Sequence, residues 1–192
     1  VELASLGSYC VHFHEERVRP AEVRRLLDAY GLEPVALNYS TNREEDGYRY
    51  RLHVPEEAAI VERKLRLVLE KAAEVGIPMV CFGYGQRVEA PLAEWRRIAA
   101  CAAELIDRTA EYAAGLGVKV LLEAPHCFLL CSSLERTAEM LSMLRSDHVG
   151  IVFDCTHWHV IGYDAREYLK IVGGRLSHVH LRDAAGPDTA DF

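Results

Sequence analysis

The stretch VGIVFDCTHWHV at residues 149–160 decides the fold, together with LSHVHLRD at residues 176–183. Each stretch contains an apolar run with the length of a buried strand. Each also carries side chains that bind metals: Asp154, His157, His178 and His180. A third run, VKVLLE at residues 118–123, ends in the carboxylate of Glu123. A globular domain has no structural reason to end several core strands in acids and imidazoles, so the pattern indicates a functional site.

Strands and helices alternate along the whole chain, in the order β-α repeated five times and then a final β. The expected strands are residues 1–9, 32–40, 77–82, 118–123, 149–153 and 176–181, and the expected helices begin at Pro20, Pro55, Pro91, Ser132 and Ala165. This alternation, with near-continuously apolar strands, predicts a parallel sheet covered by helices. Six strands fit either an open doubly wound sheet or most of a (β/α)8 barrel, which usually takes about 250 residues.

Composition favours a soluble, cytoplasmic domain. The 192 residues suffice for one domain with a sizeable core, and the net charge of −7 disfavours a nucleic-acid partner. No apolar run is long enough to span a membrane, and the opening VELASLGSYC lacks the basic segment of a signal peptide. The six cysteines form no CxxC pair, which is typical of reduced thiols in the cytosol.

Glu123, Asp154 and His180 are the predicted metal ligands, because the C-terminal ends of parallel strands meet at one edge of the sheet. A mixed set of oxygen and nitrogen donors suits one divalent ion such as Mn, Mg, Co or Zn. His178 shares a strand face with His180 and is expected one layer deeper. His126 and His157 each follow an acid by three residues, in the loop expected after the strand, a position that suits a contact to a substrate or to a metal ligand.

Structural roles for the same residues stay open at this point. A single Glu at a strand end is often a helix cap or an ion-pair partner, and a lone buried His often only satisfies its hydrogen bonds within the core. Asp183 either orients His180 or pairs with a neighbour of Arg182. The turn GYGQ at residues 83–86 lacks the Lys and Ser or Thr of a phosphate loop and is expected to be only a turn.

The segments VKVLLEAPH, VGIVFDCTHWHVIGYD and LSHVHLRDA resemble the xylose isomerase-like barrel superfamily, as do VEL at the start and YGLEPVALN. That superfamily includes sugar isomerases and epimerases, inosose dehydratases and DNA repair enzymes of the endonuclease IV type. The resemblance implies a single (β/α)8 TIM barrel domain over residues 1–192 that lacks the first and last strands. It also implies one metal held by Glu123, Asp154, His180 and a second Glu, which belongs to the eighth strand and falls beyond Phe192.

The resemblance further implies a sugar or polyol isomerase or epimerase that moves a proton through a metal-stabilised enediolate. Glu123 would act as acid or base, His157 would be catalytic and bind substrate, and His126 would bind substrate. The same site would also serve a lyase similar to inosose dehydratase, or a metal-binding barrel without turnover. An endonuclease is least favoured, because the strand at residues 77–82 ends without the His that such enzymes use as an additional ligand. Whether copies of the chain form a homo-oligomer is left open.

Overall fold

The computed structural model describes residues 1–5, 12–40, 50–83, 90–124, 130–162 and 164–182. The strands are β1 (Glu2–Ser5), β2 (Ala36–Ser40), β3 (Met79–Gly83), β4 (Lys119–Glu123), β5 (Val149–Asp154) and β6 (Leu176–His180). The helices are α1 (Pro20–Ala29), α2 (Pro55–Val75), α3 (Leu92–Gly115), α4 (Leu134–Met143), α5 (Cys155–Ile161) and α6 (Ala165–Val172). Among these described residues, no helix is both long enough and apolar enough to cross a membrane.

The six strands form one parallel sheet in sequence order, from β1 at one edge of the described sheet to β6 at the other. A doubly wound sheet reverses its strand order near the middle, so the sequential order excludes that alternative. Glu2 on β1 contacts His180 on β6, at 3.1 Å between Oε2 and Nε2, although four strands separate them in the sheet. The sheet therefore curls so that its first and last strands face each other, as the wall of a (β/α)8 barrel does.

The helices cover the convex side of the sheet and enclose the main core. The helices α1 and α2 each begin with a proline, whose fixed φ suits the first helical turn. Helix α2 ends at Gly76, which has a φ of 83° that only glycine adopts without strain. The buried stripe of α3 includes Trp95, whose indole N–H donates to the carbonyl of Leu130 at 2.9 Å.

A separate small cluster lies on the concave side of the sheet and consists of Cys81, Leu121 and Val152, all fully buried. Side chains two residues apart on a strand point to the same face. Glu123 follows Leu121 by two residues and Asp154 follows Val152 by two, so both carboxylates project into the concave interior directly above this apolar floor.

A β-bulge interrupts the pairing of the last two strands. Ile151 pairs with Leu176 and Val152 pairs with His178, so that Ser177 is the extra residue. A bulge bends its strand and re-aims the side chains that follow. Gly150 lies beside it, where an added Cβ would come within 2.5 Å of Ser177 Oγ and 2.6 Å of Leu121 Cδ2.

The segment after β5 differs from its prediction. Asp154 was expected to lead into a loop that carries His157, but helix α5 begins at Cys155, directly after the strand. The side chain of Asp154 accepts a hydrogen bond from the backbone N–H of Thr156 at 2.9 Å, which satisfies one free donor of the first turn. Because the strand's last residue serves the helix start in this way, no loop is needed between the two elements.

Candidate metal site

Glu123, Asp154 and His180 meet at the C-terminal ends of three neighbouring strands. His180 Nδ1 lies 3.2 Å from Glu123 Oε1 and 3.5 Å from Asp154 Oδ2. The three side chains are between 1% and 13% exposed. The parallel register produces this meeting, because Asp154 is paired directly with His180 and β4 adjoins β5.

His157 joins the same cluster from helix α5. Its Nε2 lies 3.6 Å from Glu123 Oε1 and 3.7 Å from Asp154 Oδ2, and its side chain is 3% exposed. The helix starts immediately after Asp154, so one turn brings the residue three positions later back over the strand end. The sequence predicted this proximity from the spacing but placed the residue in a loop, and the helix fixes it more firmly than a loop would.

Arg182 also reaches the cluster, which the sequence reasoning missed. Its Nη2 donates to Asp154 Oδ2 at 2.5 Å and lies 3.2 Å from His157 Nε2. Its backbone is held by Cys155, whose Sγ donates to the carbonyl of Arg182 at 3.1 Å and accepts from its N–H at 3.2 Å. One signal in the sequence could have indicated this contact: Arg182 follows His180 by two residues, and residues two apart on a strand share one side of the sheet.

Glu2 is the second residue that the sequence reasoning missed. Its Oε1 lies 3.2 Å and its Oε2 3.1 Å from His180 Nε2, and its Oε2 lies 3.5 Å from His178 Nε2. His178 thus sits next to Glu2, and its ring lies edge-on to the ring of His180, with 5.2 Å between the ring centroids. A glutamate within the short strand motif VEL was a signal for an inward-facing polar group, but nothing local in the sequence indicates its partner.

Electrostatic interactions keep the cluster charged. Burial alone would raise the pKa of Glu123, but the imidazoles of His157 and His180 outweigh burial and lower that pKa to about 2. Burial likewise opposes ionisation of Asp154, yet His180, His157 and Arg182 hold the pKa of that carboxyl well below its usual range. Hydrogen bonds to Asp154, Glu123 and Glu2 raise the pKa of His180 to about 11. At neutral pH two carboxylates therefore surround one protonated imidazole.

The donor set fits a divalent cation. Ligand atoms held about 2.0–2.2 Å from one ion lie about 3–3.5 Å apart, and the carboxylate and imidazole atoms around His180 Nδ1 already lie 3.2 and 3.5 Å apart. Donor atoms of Glu123, Asp154 and His157 also fall within 4.8 Å of one another. A cation would take the place that the His180 proton and the Arg182 guanidinium now fill between the carboxylates. The metal and substrate roles of these residues remain predictions.

Three predicted features lie outside the described residues: His126, Asp183 and the GYGQ turn beyond Gly83. His159 is exposed on α5. Of the predicted site residues that the structure describes, it brings together Glu123, Asp154, His157 and His180.

The chain belongs to the xylose isomerase-like TIM barrel family, whose sequence profile matches residues 1–191. This match and the sequential parallel sheet confirm the fold that the motifs predicted. The inosose isomerase of Bacillus velezensis is 26% identical over 183 residues, which cover 90% of this chain and 57% of that protein. The inosose isomerase of Halalkalibacterium halodurans is 25% identical and is covered to 56%. The chain thus spans somewhat more than half the length of these curated relatives.

Solved structures show the same fold at lower identity. A D-tagatose 3-epimerase-like protein superposes with a TM-score of 0.74 at 18% identity, covering 95% of this chain and 66% of that one. A structure described as the IOLI protein with a binding zinc atom superposes with a TM-score of 0.59 at 20% identity, covering 79% of this chain and 52% of that one.

Proposed function

We propose that this protein is a divalent-metal-dependent isomerase or epimerase of a sugar or polyol, which moves a proton between adjacent carbons. The observation that carries the proposal is the buried cluster of Glu123, Asp154, His157 and His180 at the ends of β4, β5 and β6. The names of the relatives support the substrate class, since they are inosose isomerases and a protein similar to a sugar 3-epimerase.

In this proposal Glu123, Asp154 and His180 would hold the cation, which when bound would supply the positive charge that stabilises an enediolate. Glu123 is ionised at neutral pH, so its carboxylate is in the form that accepts a proton from a carbon next to a carbonyl. His157 presents Nε2 to the same space and would hydrogen-bond a hydroxyl or carbonyl oxygen of the substrate. The near-complete burial of Asp154 and His157 keeps bulk water from these groups.

The test is proton exchange with solvent deuterium, followed by NMR on ketopentoses, ketohexoses and inososes with Mn, Co or Zn added. We expect the wild type to exchange the proton beside the carbonyl of one substrate class. Glu123→Gln should lower that rate about 10²–10⁴-fold, the range of a lost general base. Glu135→Gln, on the first turn of α4, is the matched control and should exchange normally.

Equal exchange by the wild type and Glu123→Gln would contradict the assigned role of Glu123. Exchange with none of the substrates would contradict the isomerase proposal itself. Mass analysis of the products separates the lyase alternative, because a lyase releases water and an isomerase leaves the mass unchanged.

A further inference from the structure

Glu2 is on β1, the strand that faces β6 across the concave interior, where it contacts the predicted metal ligand His180. Its carboxylate contacts Nε2 of His180 at 3.1 Å and Nε2 of His178 at 3.5 Å. Its side chain is 25% exposed, so water competes for it only in part. Within the described residues, this carboxylate meets His180 on the side opposite Glu123 and Asp154.

The two ring nitrogens of His180 therefore face different partners. Nδ1 points to Glu123 and Asp154, and Nε2 points to Glu2. A neutral imidazole has one nitrogen that donates and one that accepts. To bind a cation beside Glu123 and Asp154, Nδ1 must offer its lone pair, and the ring proton must then lie on Nε2. Glu2 is placed to accept the hydrogen bond from that Nε2–H.

We propose that Glu2 is a positioning residue for His180: it holds the ring in the Nε2–H tautomer and turns Nδ1 toward the cation position. This inference rests on the proposed function, because it assumes that His180 is a metal ligand. A carboxylate on the far nitrogen fixes the orientation of a ligating histidine and makes its other nitrogen more basic. Glu2 thus acts on the cation only through His180.

Donor atoms of Glu2, His178 and His180 also lie within 4.8 Å of one another, which is close enough for a cation of their own. A neutral His180 cannot bind a cation on both sides. Nδ1 would bind the cation beside Glu123 and Asp154, and Nε2 would have to lose its proton to bind another beside Glu2. The proposed arrangement therefore requires one cation per chain and not two. The number of bound ions separates the two arrangements.

The experiment measures metal stoichiometry and affinity in the wild type, Glu2→Gln and His178→Gln. Zn affinity is obtained by competition with a chromophoric chelator, and Co is used for absorption spectra of the ligand field. Glu2→Gln preserves the size of the side chain and removes its charge. His178→Gln is the matched control, because it removes the other partner of Glu2 from the same strand as His180.

We expect one ion per wild-type chain and a loss of affinity of about 10–100-fold in Glu2→Gln. His178→Gln should stay within about twofold of the wild type, since His178 packs against Glu2 and the His180 ring but provides no carboxylate to accept the Nε2 proton of His180. Long-range nitrogen NMR of the Zn-loaded wild type should show His180 protonated on Nε2. The Co spectrum should shift in Glu2→Gln, which a merely structural role would not produce once the protein is folded and saturated.

Equal affinity in Glu2→Gln and the wild type would overturn this inference and leave the proposed function intact. Equal losses in Glu2→Gln and His178→Gln would also overturn it, because they would show a structural network. Two ions in the wild type and one in Glu2→Gln would replace it with a second cation site. A wild type that binds no Zn, Mn or Co would overturn both the inference and the proposed function.

Discussion

At the scale of single residues, Asp154 divides its two oxygens between two tasks. Oδ1 accepts the N–H of Thr156 and so belongs to the start of α5. Oδ2 faces the cluster, where Arg182 Nη2 lies 2.5 Å away and His180 Nδ1 lies 3.5 Å away. A cation bound by Asp154 would use this second oxygen, so Arg182 and the cation compete for one ligand atom.

Replacing Arg182 by Gln should therefore tighten metal binding. The substitution removes a positive charge and a competing donor from Asp154 Oδ2, and we expect the metal dissociation constant to fall about tenfold, or about 1.4 kcal/mol. Chelator competition measures the change. Arg166→Gln is the control, because Arg166 on α6 pairs with the exposed N-cap residue Asp164 and its loss should leave affinity unchanged. Weaker binding in Arg182→Gln would show that the guanidinium supports the site instead of competing for it.

The metal-free protein should show a pH-dependent contribution from His180. Its pKa is about 11 in the folded chain against an ordinary value of 6.5, so its stabilisation is complete below pH 6.5 and is lost as pH rises toward 11. Glu123 has a pKa of about 2 against 4.5, so its stabilisation is complete above pH 4.5 and is lost as pH falls toward 2. Both contributions are complete only between these two ordinary values.

Urea unfolding of the wild type and His180→Asn, with a chelator present, measures this effect. The difference in unfolding free energy should be largest between pH 4.5 and 6.5, the ordinary pKa values of the two groups, and should shrink at higher pH. A difference in unfolding free energy that stays constant from about pH 5 to about pH 9.5 would contradict the proposed protonation of His180.

The sequence indicated Glu123, Asp154 and His180 because each lies at or near the end of an apolar run, and parallel strands bring such ends together. Glu2 and Arg182 were not predicted to join them. The contact of Glu2 depends on the curl of the whole sheet, which no local pattern encodes. The contact of Arg182 depends on its rotamer and on the two hydrogen bonds between its backbone and Cys155 Sγ.

At the scale of elements, the bulge at Ser177 sets the direction of β6 beside the site. The sequence predicted β5 and β6 closely but not the bulge, because an extra residue in one strand appears only when the two strands are paired. The loop predicted after Asp154 was wrong for a similar reason. Helix α5 follows its strand without the glycine or proline that usually separates such elements.

Gly150→Ala should destabilise the fold and disturb the bulge. The added methyl group would meet Ser177 Oγ at 2.5 Å and Leu121 Cδ2 at 2.6 Å, and such overpacking costs about 1–3 kcal/mol. Thermal and urea unfolding measure the loss. Gly115→Ala, at the end of α3, is the control, because nothing lies within 4 Å of its added methyl group. Equal stability of the two variants would mean that the strands shift apart at no cost.

At the scale of the whole molecule, β1 and β6 are the edges of the described sheet, and apolar side chains are exposed on β6 and directly after it. Val179 is 43% and Leu181 83% exposed. Unpaired strand edges with apolar side chains promote association between chains. The strand order and the barrel class were predictable from the alternation of elements and the motifs, whereas these exposures were not, because burial depends on which surfaces face each other.

The 192-residue chain should therefore self-associate as its concentration rises, and Leu181→Glu should reduce that association. Light scattering and sedimentation measure the average mass over a range of concentrations. Leu26→Glu is the control, since Leu26 is 53% exposed on helix α1 and is not part of the edge of β6. A monomer at all concentrations would show that the edge of β6 is protected. An equal reduction of self-association by both variants would show that the added negative charge, and not the loss of the apolar side chain at β6, causes the reduction.

The contact between Glu2 and His180 joins residues 178 positions apart, nearly the whole length of the chain. Closing so long a loop costs entropy that only the completed sheet offsets, and contacts of this range form late in folding. During synthesis this contact cannot form until residue 180 has been translated, so Glu2 stays without His180 while the intervening strands and helices are made. Binding of a cation there would report that translation and folding of this whole region are complete.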